Sequence, residues 1–118
     1  TYGMRESDKV VDGYYYGGVP LWQLAKQYGV KSASYFWVGS EMSDETRRPD
    51  YYYPFNDTIN PMIKVNQVID WLKLPEAKRP HLITLYFSSP DHEGHDFGPW
   101  GEETKQAVLR ADTLLGEL

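Results

Sequence analysis

Metal- and proton-handling side chains gather in one stretch of this sequence. Pro90-Asp91-His92-Glu93-Gly94-His95-Asp96 holds two of the three histidines together with Asp91, Glu93 and Asp96. Asp91 offers an oxygen and His95 a ring nitrogen, a mixed donor set that suits Zn²⁺ or a similar transition metal. Pro90 restricts the backbone ahead of the aspartate. Gly94 permits an unusual backbone angle just before the histidine, so both side chains could be aimed at one point. A catalytic zinc centre needs at least three protein ligands, so this pair is at most part of a site. Spacing alone leaves a second reading open, a polar turn that caps the following helix.

Aromatic residues are the other group able to do chemistry, with ten Tyr, four Trp and four Phe. Such side chains build cores and also build stacking surfaces for ligands. Residues 41 to 57 show no regular period, yet their centre, Pro49-Asp50-Tyr51-Tyr52-Tyr53-Pro54-Phe55, is too aromatic for a disordered linker. An ordered loop is expected there. The net charge of -5 and a pI near 5.1 argue against binding a nucleic-acid duplex through its phosphates. The basic pairs Arg47-Arg48 and Lys78-Arg79 read as solvated loop residues. There are no cysteines, which excludes disulfides and thiolate metal sites. No apolar run approaches membrane-spanning length, so membrane insertion by these residues is not expected. The absence of an initial Met reads as an excised segment or a processed product.

The elements that must position these residues alternate. Pro20 opens a helix carrying Leu21, Leu24, Ala25 and Tyr28, and Gly29 suits its left-handed cap. A strand follows over residues 30–38. Asn60-Pro61 opens a second helix, whose buried face is expected at Met62, Val65, Ile69 and Leu72, and Leu74-Pro75 ends it. Residues 81–87 form a nearly continuous apolar run, the pattern of a strand buried on both faces. The Asp91–Asp96 stretch then falls in a connecting loop beyond a strand's carboxyl end, where open α/β sheets bind ligands. Gly101-Glu102-Glu103 opens a third helix with an apolar stripe at Ala107, Val108, Ala111, Leu114, Leu115 and Leu118. This order predicts an α/β fold with parallel strands. Two strands cannot make such a sheet alone. Either further strands lie outside the chain, or residues 1 to 17 supply a weak third one.

The run from Leu82 through Pro90-Asp91-His92-Glu93-Gly94-His95 to Gly98-Pro99 resembles the strand and loop of the nucleotide pyrophosphatase/phosphodiesterases, within the alkaline phosphatase superfamily. That family's pattern is an apolar strand ending in Tyr, then Pro-Asp-x-x-Gly-His and a nearby Gly-Pro. Val19-Pro20-Leu21-Trp22, Phe36-Trp37-Val38-Gly39-Ser40, Trp71-Leu72-Lys73-Leu74-Pro75 with Arg79-Pro80, and Arg110-Ala111-Asp112 resemble further family stretches in the same order. The likeness covers nearly the whole chain and is weakest over residues 1 to 13.

The resemblance implies that residues 1–118 are an internal segment of one phosphodiesterase catalytic domain. That domain would be an alkaline phosphatase-like three-layer α/β/α sandwich with mostly parallel strands. It implies that Asp91 and His95 bind one of two zinc ions, that Tyr86 and Phe55 face a nucleotide base, and that Trp37 supports the pocket wall. A metal-activated threonine attacks phosphorus in such enzymes, and water resolves the covalent intermediate. No candidate for that threonine stands in these residues, nor for the family's downstream Asp-His pair and last histidine. The segment alone is therefore expected to be inactive, and the parent enzyme to be exported or surface-anchored. Val38 replaces the family's usual Pro, and His92-Glu93 replace small residues, which leaves substrate preference open. Lysophospholipid or choline phosphodiesters are the same-fold alternative. A non-catalytic module holding a sugar or peptide on its aromatics is the alternative of another class.

Overall fold

A computed structural model describes Lys9 and residues 11–118. Its centre is a parallel sheet built from β1 (Ser32–Tyr35), β2 (Tyr51–Tyr53) and β3 (Leu82–Leu85), in the order β2-β1-β3. The helices are α1 (Leu21–Gln27), α2 (Pro61–Leu72), α3 (Asp91–Phe97) and α4 (Glu102–Gly116). The predicted α/β class with parallel strands is what this shows. The third strand comes from neither expected source, for it is Tyr51–Tyr53 in the aromatic loop, paired with Ala33–Tyr35 of β1. Three β-prone tyrosines between Pro49 and Pro54 are too few to show a period. Of residues 1 to 17, positions 1–8 and 10 lie outside the described residues, and Gly13–Tyr15 forms a 3₁₀ turn.

Strand β1 is central and buried along its whole length. Its side chains alternate between faces, as a pleated strand requires. Ala33 and Tyr35 join Val68 and Trp71 of α2 in the main core, with Tyr51, Leu74, Ile83 and Leu85 packed around them. The Tyr35 ring stacks on Tyr53 at 4.7 Å and lies 6.4 Å from Trp71. Ser32 and Ser34 alternate with them, and Thr84 of β3 donates to the Ser34 hydroxyl at 2.8 Å. Asp50 fastens β2 to β1 by accepting from the Ser32 amide at 2.9 Å.

Helix α2 begins as its sequence dictates. Pro61 is the first helical residue, and the Asn60 side chain accepts from the Met62 amide at 2.9 Å. Its buried face differs from the expected one. Lys64, Val65, Val68 and Trp71 point inward, while Met62 and Ile69 are half-buried and Leu72 is exposed. The large Trp71 ring captures the interior position and turns the helix to match. Helix α1 buries Trp22 rather than Leu21, Leu24 or Tyr28, all exposed, and the Trp22 indole donates to the Arg47 carbonyl at 2.7 Å. Gly29, at φ 73, closes that helix as expected.

Two more expectations are corrected. Strand β3 is half-buried in this segment rather than buried on both faces, and it stands at one side of the three-stranded sheet. On α4 only Ala107 of the apolar stripe is buried, and Val108, Leu115 and Leu118 face outward. Nothing among the described residues covers that side of the helix. Arg47 is no plain solvated residue either. Its guanidinium donates to the Gly13, Tyr16 and Gly18 carbonyls at 3.2, 2.9 and 3.0 Å and to the Gln23 side chain at 3.3 Å. It thereby ties the turn before α1 to the segment before β2.

Candidate active site

In a parallel sheet all carboxyl ends lie along one edge, and here each strand delivers an aromatic side chain just past its end. Phe36 and Trp37 follow β1, Phe55 follows β2, and Tyr86 follows β3. The Phe36 ring lies 4.8 Å from Phe55 and 5.5 Å from Tyr86. Tyr86 in turn stands 6.2 Å from Phe55 and edge-on to Trp37 at 6.4 Å. Trp37 and Phe55 remain 44% and 45% exposed, so the group has open ring surface rather than a closed core. The structure therefore brings together the three aromatics singled out in the sequence, Tyr86, Phe55 and Trp37.

Phe36 was not singled out, although it touches both Phe55 and Tyr86. Its backbone is left-handed, φ 56, which an aromatic residue rarely adopts and which costs of order 1–3 kcal/mol. The turn it makes is what ends β1 and swings Trp37 outward. Ser40 holds that turn, its hydroxyl accepting from the Trp37 amide at 3.0 Å and its own amide donating to the Trp37 carbonyl at 2.9 Å. The residue order Tyr35-Phe36-Trp37 was the available signal, but strand alternation gives no warning of a left-handed residue.

The stretch expected to be a loop is the helix α3, Asp91–Phe97. Gly94 sits inside it without the left-handed backbone expected of it, and the residue with φ 78 is Gly98, which ends the helix. Helical spacing now does the aiming that the two backbone constraints were expected to do, because residues four apart share a face. The Asp91 Oδ2 and His95 Nε2 atoms lie 3.6 Å apart with both side chains more than three-quarters exposed. Ligand atoms on adjacent corners of a tetrahedral zinc stand about 3.4 Å apart, given bonds of about 2.0–2.2 Å. The pair thus fits two corners of such an ion. His92 and Asp96 form a second such pair at 3.5 Å on the same short helix. Among the described residues, no group of three or more His, Cys, Asp or Glu side chains comes together as a complete metal site.

Helix α3 is carried by α4. The Thr104 hydroxyl, almost fully buried, lies 2.8 Å from the Gly98 carbonyl and 3.1 Å from that of Glu93. A Cβ on Gly101 would meet the Phe97 carbonyl oxygen at 2.7 Å, so only glycine allows the tight turn between the two helices. Glu93 adds a side-chain clamp, accepting from Ser89 at 3.0 Å and from Arg110 at 3.4 Å. Its own backbone amide, the Ser89 hydroxyl, and the Arg110 and His92 charges hold its carboxyl below the usual range. Glu93 therefore points into the fold rather than toward a metal on the Asp91–His95 face.

A cavity of about 620 Å³ lies beside this arrangement, between the start of α2, the residues after β3, and α4. Lys64, Ser88, Ser89, His92, Glu93 and Arg110 are among its polar lining residues. Neither the aromatic group nor the Asp91–His95 pair lines it.

A family model described as type I phosphodiesterase / nucleotide pyrophosphatase matches residues 2–118. The chain belongs to this family. Venom phosphodiesterase 2 of Crotalus adamanteus is 41% identical over 104 residues, spanning 88% of this chain and 13% of that protein. Human ectonucleotide pyrophosphatase/phosphodiesterase family member 1 is 38% identical over the same length, spanning 88% of this chain and 11% of that protein. Among solved structures, murine ectonucleotide pyrophosphatase/phosphodiesterase 5 superposes with a TM-score of 0.74 at 28% identity. That likeness covers 83% of this chain and 26% of the murine one. An inactive form of the murine protein in complex with AMP matches equally well. The chain thus spans about an eighth of the curated relatives' length. Its parallel α/β sheet is part of the alkaline phosphatase-like fold that these phosphodiesterases share.

Proposed function

We propose that this segment belongs to an enzyme that hydrolyses phosphodiester or pyrophosphate bonds of nucleotides with the help of two zinc ions. In that reading residues 1–118 are an internal part of a single catalytic domain. Asp91 and His95 hold one ion from a single helix face. When bound, the ions supply positive charge that holds phosphoryl oxygens and offsets the charge developing on them. The nucleophile, a threonine, and the remaining ligands come from outside the segment, so these residues alone are inactive. Tyr86 and Phe55 receive the base and Trp37 walls the pocket. Stacking there orients the scissile bond through binding energy remote from the phosphorus.

The observation that carries this reading is the convergence of aromatics from all three strand ends, with an Asp–His pair of ligand spacing on the helix that follows β3. The names of the relatives, venom and ecto-enzymes, and the AMP complex of the murine protein support it. They also support an exported parent. Among the described residues no helix is long and apolar enough to cross a membrane.

The test compares a p-nitrophenyl nucleotide ester with a choline phosphodiester on the full-length enzyme and on the 118-residue segment. The full-length enzyme should prefer the nucleotide ester and the segment should turn over neither. Preference for the choline ester would remove the base-stacking role from Tyr86 and Phe55. Turnover by the segment would overturn the assignment of its nucleophile to another part of the chain.

A further inference from the structure

The sequence gives no warning of Lys64, whose position on α2 is inside rather than outside. It is only 3% exposed, between the start of α2 and the end of β3. Its ammonium donates to the Tyr86 carbonyl at 3.2 Å and lies 5.9 Å above the Tyr35 ring. Burying an ammonium is costly unless it is well paired, and a methionine would fill the same space without that cost. Burial pushes the Lys64 amine below its ordinary value, and the nearby Asp57 charge opposes that shift. A charge kept in such a place points to a task that an apolar side chain could not perform.

The place shows the task. The β1–β3 register ends at Tyr35 and Leu85, and the Tyr86 amide makes one more bond to β1, to the Tyr35 carbonyl at 3.3 Å. Beyond that point the ladder no longer holds the chain. The Tyr86 carbonyl is held by Lys64 instead. The Tyr86 side chain meets Phe36, Phe55 and Trp37, and the backbone that leaves it leads through residues 87–90 to Asp91. This charged hydrogen bond, together with the Tyr86 amide bond to Tyr35, fixes the backbone of the residue whose ring joins the aromatic group.

We infer that Lys64 is a positioning residue that anchors Tyr86 and so sets how well the enzyme grips the base of a nucleotide substrate. The inference deepens the nucleotide reading above and rests on it for its substrate, while the anchoring itself does not. Charge-assisted bonds are stronger than neutral ones, and the carbonyl left behind by a donorless side chain is expensive. Loss of the anchor lets Tyr86 shift relative to Phe55, which weakens base binding more than it weakens binding of the phosphoryl group.

The experiment uses the full-length enzyme as wild type, Lys64→Met, Lys64→Arg and Val65→Ala, the last as a neighbouring core defect that removes no polar bond. Each is assayed with a p-nitrophenyl nucleotide ester and with methyl p-nitrophenyl phosphate, which carries no base. Amide hydrogen exchange is followed at Tyr86, with Ala33 and Ser34 of β1 as reference. Lys64→Met should lower the preference for the nucleotide ester about tenfold, chiefly through KM, and speed exchange at Tyr86 by a similar factor. Lys64→Arg should restore most of both, and Val65→Ala should depress the two substrates together. Equal losses on both substrates in Lys64→Met, or unchanged exchange at Tyr86, overturn the inference. A wild-type enzyme that does not distinguish the two esters would instead refute the nucleotide reading, and exchange would still decide whether Lys64 anchors Tyr86.

Discussion

Replacing Thr104 by Val tests how α3 is held. Valine keeps the shape of threonine and removes the hydroxyl that lies 2.8 Å from the Gly98 carbonyl and 3.1 Å from the Glu93 carbonyl. The side chain is 8% exposed, so water cannot easily take over the bond. Both carbonyls keep another donor, the Gly101 amide at 3.2 Å for Gly98 and the helix ladder for Glu93, so the loss is that of a net hydrogen bond, about 0.5–1.5 kcal/mol. Since about 1.4 kcal/mol is a factor of ten, the undocked population of α3 should rise roughly two- to twelvefold. Amide exchange over Gly94–Gly98 reads that population directly, and a urea titration reads the global loss. Thr104→Ser should behave as wild type in exchange, because it keeps the hydroxyl. If Thr104→Val leaves both exchange and urea midpoint unchanged, α4 does not hold α3 through this bond.

Trp71→Ala should cost about 3–5 kcal/mol by chemical denaturation, since the ring is buried among Tyr35, Tyr51 and Tyr53 at 6.0–6.4 Å. A loss below about 1 kcal/mol would mean that the core lies elsewhere. Glu93→Gln should lower stability at neutral pH and make no difference in acid. The folded carboxyl titrates below its unfolded value, so its contribution is present above the unfolded value and is lost as pH falls through the folded one. Urea midpoints of the two proteins that stay apart through that acid range would refute the clamp. Asn60→Ala should cost about 1 kcal/mol by freeing the Met62 amide, and an unchanged urea midpoint would count against the cap.

Reading along the chain recovered the elements whose start and stop residues are strong, such as Asn60-Pro61 and Gly29. Trp37, Phe55 and Tyr86 came from the family resemblance, and the structure places them just past strand ends in a parallel sheet, so one edge collects them. Other features depend on long-range packing and could not be read locally. Tyr51–Tyr53 becomes a strand only because β1 offers a partner. Trp71 rotates α2 away from the face that Met62, Ile69 and Leu72 suggested, and that rotation is what buries Lys64. Pro90 and Gly94 read as loop residues, yet Pro90 stands at a helix start and Gly94 is tolerated inside it. The Asp91–His95 spacing has a different meaning on a helix than in a loop, because residues four apart share a face there. It also frees Glu93 for a structural task on the opposite side.

The most direct test is the zinc content of the purified full-length enzyme, compared between wild type and the Asp91→Ala, His95→Ala double variant by elemental analysis. The wild type should carry about two zinc ions per chain and the double variant about one, with nucleotide-ester hydrolysis lost alongside the ion. Zinc content and hydrolysis that are the same in both proteins would contradict the assignment of Asp91 and His95 to a catalytic metal site.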